Sequence, residues 1–448
     1  MKWLSKEEKI LADFGDRRLS QRLNTMVTKL SQNPERTLPE AMGGWSETKA
    51  AYRFFDNGKV EVSEIYESQR KESVERIKEE SMILAVQDTT IFNYTLQKNK
   101  RGLGPIGMGD LSGIFLHSCL AVSELGVPLG IVGHRMWVRP QEKKNSKKTH
   151  KTRPLEDKES VRWIDVTREV ADNIPTTTRV VMVGDRESDI FDLIVLEREG
   201  YDFLIRAAWN RCVNQSSDYL WQAVEKSPIL GDKSIVIPRG DEKSERTATV
   251  TLRSAVVTIN PPRIRKKEKL PSATVNALLI RELSPPEGSE PIEWLLLTTL
   301  PVGTFDEAVQ CMTWYSYRWR IERYHYILKS GCHAEKLQLE TKDRLMRALA
   351  VYSIVAFRLL WLTYQARQTP DVTCTLVFTD IEWRTLFVAI HKTNAFPICP
   401  PTLETAVLWV AKLGGFLARK HDGQPGINVI WRGLRRLFDL ACFFDFFQ

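Results

Sequence analysis

Three apolar runs and the connections between them set the first limit on what this chain can fold into. MILAVQD (82–88) reads as a buried strand ending in an acid, and FLHSCLAVSE (115–124) and VPLGIVGHRMWVR (127–139) as two more joined by the turn Glu124-Leu125-Gly126. A helix is predicted over 157–173, and RVVMVGDRESDIFDLIVLEREG (179–200) then runs strand, acid, helix. Directly joined strands mixed with strands separated by helices predict a mixed α/β sheet with helices packed on it, over about 69–210.

The flanks have a different texture. Leu11, Leu19, Leu23, Val27 and Leu30 recur at helical spacing, Pro34 and Pro39 interrupt, and Ser46 opens a second segment with Ala50, Ala51, Phe54 and Phe55. Arg17, Arg18, Arg22, Lys49 and Arg53 ride on these helices, so the module 1–68 fits either duplex DNA binding or a plain helical lid. From 211 to about 300, SIVIP, TATVTLR, AVVTI and TVNALLIREL between Gly, Pro and charged turns predict an all-β insert. A long helix is then expected through YSYRWRIERYHYILK (315–329), and a mainly helical remainder with RALAVYSIVAFRLLWLTYQ as its most apolar member. A length of 448 residues exceeds one hydrophobic core. The divisions are a helical domain 1–68, a core 69–362 with its insert, and a helical domain 363–448.

No run of eighteen apolar residues is present, and MKWLSKEEKILADFGDRRL lacks the apolar region of a signal peptide, so a cytoplasmic protein with no membrane role is expected. The seven cysteines are scattered and never form C-x-x-C, which argues for reduced thiols rather than disulfides or zinc. The net charge of +8 gathers at 143–153, 263–269 and 432–436, where solvated loops compete with phosphate contacts as the explanation. With no H-E-x-x-H, G-x-x-x-x-G-K-S/T or G-x-S-x-G, zinc proteolysis, P-loop chemistry and the nucleophile elbow lose their sequence support. His325 and His333 do not pair at ligand spacing and are left as structural or phosphate-adjacent.

Two acids follow apolar strands directly, Asp88 in AVQDTT and Asp185 in VMVGDRESD. Strand ends at the rim of a sheet are where α/β folds place ligands, although turn and capping roles compete for each acid alone. Glu322 is the lone acid among Arg318, Arg320, Arg323 and Lys329. Three carboxylates suit Mg²⁺, a hard ion that shares oxygen ligands with substrate phosphate. On a helix Tyr315, Arg318, Glu322 and Lys329 share a face, one acid with several phosphate donors. An amphipathic helix with incidental charges is the alternative.

These residues also carry a resemblance. Tyr315-x-x-Arg318-x-x-x-Glu322-x-x-x-x-x-x-Lys329 resembles the Y-R-E-K signature of bacterial DD-E transposases of the insertion sequence four family, transposon-five type. QDTT (87–90), MWVRP (136–140), GDRESDI (184–190), WLLLT (294–298), YRWRIE (317–322) and LGGFLARK (413–420) follow in family order over nearly the whole chain. The resemblance implies an RNase H-like core interrupted by a β-rich insert, with Asp88, Asp185 and Glu322 binding two Mg²⁺ ions, for which Mn²⁺ substitutes. It implies cut-and-paste transposition, through a DNA hairpin and strand transfer into target DNA, by a homodimer in a synaptic complex on double-stranded transposon ends.

The same resemblance gives phosphate contacts to Tyr315, Arg318, Lys329 and Arg206. It gives a flipped base to Trp294, worth about 1–3 kcal/mol by stacking, and bases or packing to Trp319. Arg17, Arg18, Arg22 and Arg53 become the phosphate contacts of an end-recognition module. Dimer pairing falls to the C-terminal helices, while 366–405 departs from the pattern and receives no contacts. Two rivals remain, an RNase H-like nuclease that cuts without joining and a non-catalytic DNA-binding regulator derived from a transposase.

Overall fold

A computed structural model describes residues 12–141, 155–196, 201–213, 219–237, 245–420 and 422–445. The basic run at 143–153 lies outside the described residues. The N-terminal helices are α1 (Arg17–Gln32), α2 (Leu38–Met42), α3 (Trp45–Asp56) and α4 (Val62–Ile77). Asp16 caps α1 through its side chain, and Leu23, Met26, Val27 and Leu30 form its buried stripe. α4 runs across the expected boundary at 68 and packs on the sheet instead of staying with the N-terminal helices.

The sheet comprises β1 (Met82–Asn93), β2 (Gly104–Pro105), β3 (Ser112–Ser123), β4 (Pro128–Trp137), β5 (Arg179–Gly184), β6 (Tyr201–Arg206), β7 (Ile229–Ile237), β8 (Arg246–Ile259), β9 (Ala273–Glu282) and β10 (Glu293–Thr298). Its order is β2-β3-β1-β5-β6-β10-β9-β8-β7, with β4 paired to β3. β1 lies antiparallel to β3 and parallel to β5, so the chain must cross over between β4 and β5. It does so through α5 (Val161–Asn173); α6 (Phe191–Ile194) lies in the shorter crossover from β5 to β6, also parallel. This mixed α/β arrangement with flanking helices is an RNase H-like core. The expected insert is present as α7 (Leu220–Glu225) and β7 to β9, but it continues the core sheet, because β10 pairs with β6 on one edge and β9 on the other.

Beyond the sheet come α8 (Phe305–Ser316), α9 (Trp319–Tyr326), α10 (Lys342–Gln368), α11 (Asp380–His391), α12 (Leu403–Leu413) and α13 (Ile427–Asp445). The single long helix expected through 315–329 is in fact two. The amides of Tyr317 and Arg318 bond three residues back, to Trp314 and Tyr315, which tightens the chain between α8 and α9. A wide π turn over Ile327–Gly331 follows, closed by the Cys332 amide on the Ile327 carbonyl. Among the described residues α10 alone is long and apolar enough to cross a membrane, but 83% of its apolar window is buried inside the fold.

Candidate active site

Strand parity decides where the first acid points. Ile83 and Ala85 join the core beneath α5, whereas Leu84, Val86 and Phe92 join the core shared with α9 and α10. Asp88 continues the second series, and in the register of β1 with β3 it stands opposite Ser118. His325 of α9 closes over both, its Nδ1 3.6 Å from Asp88 Oδ2 and its Nε2 3.4 Å from Ser118 Oγ.

Asp185 follows β5 directly, one strand over, where Val86 of β1 pairs with Val183. It caps the short turn Arg186–Ser188, its Oδ1 accepting the Glu187 amide at 2.8 Å while its carbonyl accepts Ser188 Oγ at 2.6 Å. Gly184 permits the fold-back, since a Cβ there would meet Ser188 Oγ at 2.4 Å and the Trp163 ring at 3.0 Å. Burial holds the Asp185 carboxyl above the usual carboxylate range; the Glu187 amide opposes this and the negative charge of Asp88 adds to it.

The third acid faces a cation. Arg318 Nη2 donates to Glu322 Oε1 at 2.7 Å, with the Arg318 side chain 11% exposed. Burial alone would depress Arg318, but Tyr315 and Glu322 outweigh it and hold the guanidinium above its ordinary value. Its Nε is buried without a hydrogen-bond partner, an unused donor at the site. Among the described residues no three acid, histidine or cysteine side chains stand close enough to hold an ion as they are, and Glu322 is turned to Arg318.

The remaining site residues expected from sequence gather here. β6 ends at Arg206, paired with Leu296 of β10, and Arg206 Nη2 donates to the Glu293 carbonyl at 2.8 Å. Burial lowers Arg206, with Tyr315 and Asp185 opposing, and Arg186 and Arg318 adding to it. Trp294 packs edge-on against Tyr315 with ring centroids 5.2 Å apart, and burial pushes the Tyr315 phenol up. Lys329 rides the wide turn with its Nζ 5.9 Å from the Phe92 ring centre; burial pulls its pKa down, against Glu335 and Asp88. Trp319 is 54% exposed, with Arg318 over its ring at 5.1 Å.

The N-terminal cations are apart from this cluster and are unequal. Arg17 and Arg53 are exposed. Arg18 is also exposed but reaches back to Asp16 at 3.1 Å. Arg22 is tied to Glu47 at 2.5 Å. The other basic runs are partly engaged as well: Arg265 binds Asp192 and Glu268, and Arg435 binds Glu35. His325, three residues after Glu322 and expected as structural or phosphate-adjacent, belongs to this cluster, as does Arg186, which directly follows Asp185 and carries no signal of its own in sequence.

Three known families match the chain in sequence order. A model of the transposase DNA-binding family matches residues 1–60, the transposase DDE domain matches 148–357, and the transposase Tn5 dimerisation domain matches 354–445. The DDE match contains Asp185 and Glu322 and begins beyond Asp88. The dimerisation match spans 366–405, the segment expected from sequence alone to depart from the family pattern.

Proposed function

Because the chain belongs to the Tn5-type DDE transposases, we propose that Asp88, Asp185 and Glu322 are its catalytic acids and that it moves DNA by cut-and-paste. The matched regions make it a DNA-binding, dimerising enzyme with a phosphodiester-cleaving DDE core. One observation carries the assignment of the acids. Asp88 on β1 and Asp185 just beyond the parallel strand β5 are close enough for one charge to raise the other's pKa, and Arg318, the partner of Glu322 on α9, acts electrostatically on both.

The donor set fits a hard divalent ion. Two carboxylates that repel each other in a partly buried site gain from a dication between them, and all three acids offer oxygen ligands. Asp88 and Asp185 would hold Mg²⁺, and Glu322 would join by exchanging Arg318 for the ion. When bound, the metal polarises the phosphoryl oxygens and makes water nucleophilic at neutral pH.

The chain's own residues account for the rest. Arg318, released from Glu322, offers its buried Nε and its Nη2 to a phosphate oxygen, and Arg206 and Lys329 add positive charge on either side. Tyr315 hydrogen-bonds the backbone, and Trp294, held edge-on by Tyr315, offers a ring to an unpaired base beside the scissile bond. His325, itself held by Ser118, steadies the Asp88 side. Trp319, Arg17, Arg18 and Arg53 complete a DNA surface, with Arg22 contributing only if Glu47 releases it.

In the proposed sequence a nick frees a 3′-OH at each transposon end. That hydroxyl attacks the opposite strand to close a hairpin, and reopening yields the end that joins target DNA, with two protomers pairing the two ends. The test uses a labelled duplex carrying the inverted repeats that flank the gene, with Mg²⁺ present. A hairpin visible on a denaturing gel and joining of pre-cleaved ends to a plasmid are expected. Nicks with neither hairpin nor joining would reduce the protein to a nuclease, and binding without any cut would make it a regulator.

A further inference from the structure

The residues on either side of Asp88 face away from the phosphodiester site, toward α5, and there they enter a closed hydrogen-bond ring. Arg162 Nε donates to Thr89 Oγ1 at 3.1 Å, and Thr89 Oγ1 lies 2.9 Å from His117 Nδ1. Gln87 Oε1, which can only accept, lies 2.9 Å from His117 Nε2, so the neutral imidazole carries its proton there and its Nδ1 accepts from the Thr89 hydroxyl. The Gln87 amide nitrogen then donates to Thr167 Oγ1 at 2.9 Å, and Thr167 donates to the Trp163 carbonyl at 2.7 Å. The ring begins at Arg162 and ends on the carbonyl of its neighbour in α5. Gln87 and His117 are fully buried in it.

The same guanidinium holds the other acid. Arg162 Nη2 meets Glu187 Oε2 at 2.6 Å, and the amide of Glu187 is the one that Asp185 Oδ1 accepts. Its Nη1 donates to the Glu159 carbonyl at 2.7 Å, and its plane lies over Trp137 and Trp163 at 5.4 and 5.9 Å. The side chain is only 13% exposed, whereas that of Glu187 is 61% exposed. A planar fork engaged on all three nitrogens between aromatic rings is a rigid spacer that lysine cannot copy.

We propose that Arg162 is a positioning residue that sets the separation of Asp88 and Asp185, clamping Thr89 behind the first and Glu187 behind the second with one guanidinium. This rests on the reading of Asp88 and Asp185 as the metal-binding acids. Partners behind metal ligands change metal affinity by about 10–100-fold when removed, without touching the ion.

The test uses the full-length chain as wild type, Arg162→Gln, Arg162→Lys, Glu187→Ala and Asp185→Asn. Amide exchange followed by mass spectrometry is expected to speed up about tenfold over both 88–93 and 185–189 in Arg162→Gln, with α10 unchanged. Glu187→Ala, which removes the exposed arm alone, is expected to loosen 185–189 and leave 88–93 protected, and it keeps the test valid if Arg162→Gln fails to fold. Mn²⁺ affinity, read from the electron paramagnetic resonance signal of the free ion, is expected to fall about 10–100-fold in Arg162→Gln and less in Arg162→Lys. Wild-type exchange in both segments of Arg162→Gln overturns the proposal, and so does loosening of both with Mn²⁺ affinity unchanged. If Asp185→Asn binds Mn²⁺ like the wild type, the assignment of the acids fails instead, while the exchange pattern still decides whether Arg162 clamps the two segments.

Discussion

Replacing Glu322 by Gln separates chemistry from scaffold more sharply than any other single change at the site. The amide oxygen can still accept from Arg318 Nη2, now 2.7 Å from the carboxylate, so the bond survives without its charge. Glu322 is 34% exposed, and water screens the pair, so the lost attraction is worth about 1 kcal/mol or less. For a chain of this size that shifts the melting temperature by about 1–2 °C. The catalytic loss is far larger. A carboxylate that helps hold a polarising metal supports several kcal/mol of transition-state stabilisation, and about 4 kcal/mol corresponds to roughly 1,000-fold in rate. The assay follows end cleavage of a duplex carrying the flanking inverted repeats, with gel-shift binding and thermal melting measured on the same preparations. Near-normal binding and melting with cleavage down about 1,000-fold is the expected result. Cleavage within tenfold of wild type would remove Glu322 from the chemistry, and a melting loss beyond about 5 °C would make it a structural residue.

Two other outcomes follow from the same electrostatics. Burial and Asp88 raise the Asp185 pKa, so the ionised acid costs stability at neutral pH, a cost that grows as pH rises from the unfolded value toward the folded one. Asp185→Asn, which keeps an oxygen for the Glu187 amide, should therefore melt higher than wild type in metal-free buffer while cleaving no DNA; a lower melting temperature would contradict the burial argument. His134, stacked on Tyr66 at 3.5 Å, is pushed down to about 3 by burial, with Arg135 and Arg70 adding to it. The stability it confers is complete above the unfolded histidine pKa of about 6.5 and is lost as pH falls from there toward 3. Its edge opens on a cleft between α4, β4 and α5, and screening there leaves about 1 kcal/mol at pH 5. His134→Phe should flatten the acid limb of melting temperature against pH between 6.5 and 4, and an unchanged limb would exclude His134 as its source.

The strands and the three acids were legible because each acid ends an apolar run or breaks a basic one. The face that Asp88 takes was not, because Met82 to Val86 are apolar without alternation. Only the two separate cores show that 84 and 86 face α9 while 83 and 85 face α5. The breaks around Glu322 were equally hidden. Helical spacing continues unbroken from Tyr315 to Lys329, and the tight link at Tyr317 and the wide turn at Ile327 depend on packing against β1 and α10. His325 has no second histidine at ligand spacing to mark it in sequence, because its partner is a carboxylate, Asp88. Arg22 looked like a free cation because Glu47, 25 residues away, meets it only once α1 and α3 pack.

The long interval between Asp185 and Glu322 imposes little on the site. Loop closure grows only slowly with chain length, and β7 to β9 extend the sheet on the far side of β10, away from the acids. What fixes the site is a short antiparallel register, Arg206 with Leu296 and Ile205 with Leu297, where the chain returns from the insert to the core. The parallel pairing of β5 with β6, Gly184 with Ile205, sets Arg206 beside Asp185, and the β6–β10 register sets Trp294, through its neighbour Glu293, beside Arg206. Trp294 in turn seats Tyr315, from which α8 leads into Arg318 and Glu322. A slip of one residue would turn Arg206 to the opposite face and carry Trp294 away from Tyr315. The insert can therefore vary in length without disturbing the acids, whereas the pairing of β6 with β10 cannot shift at all.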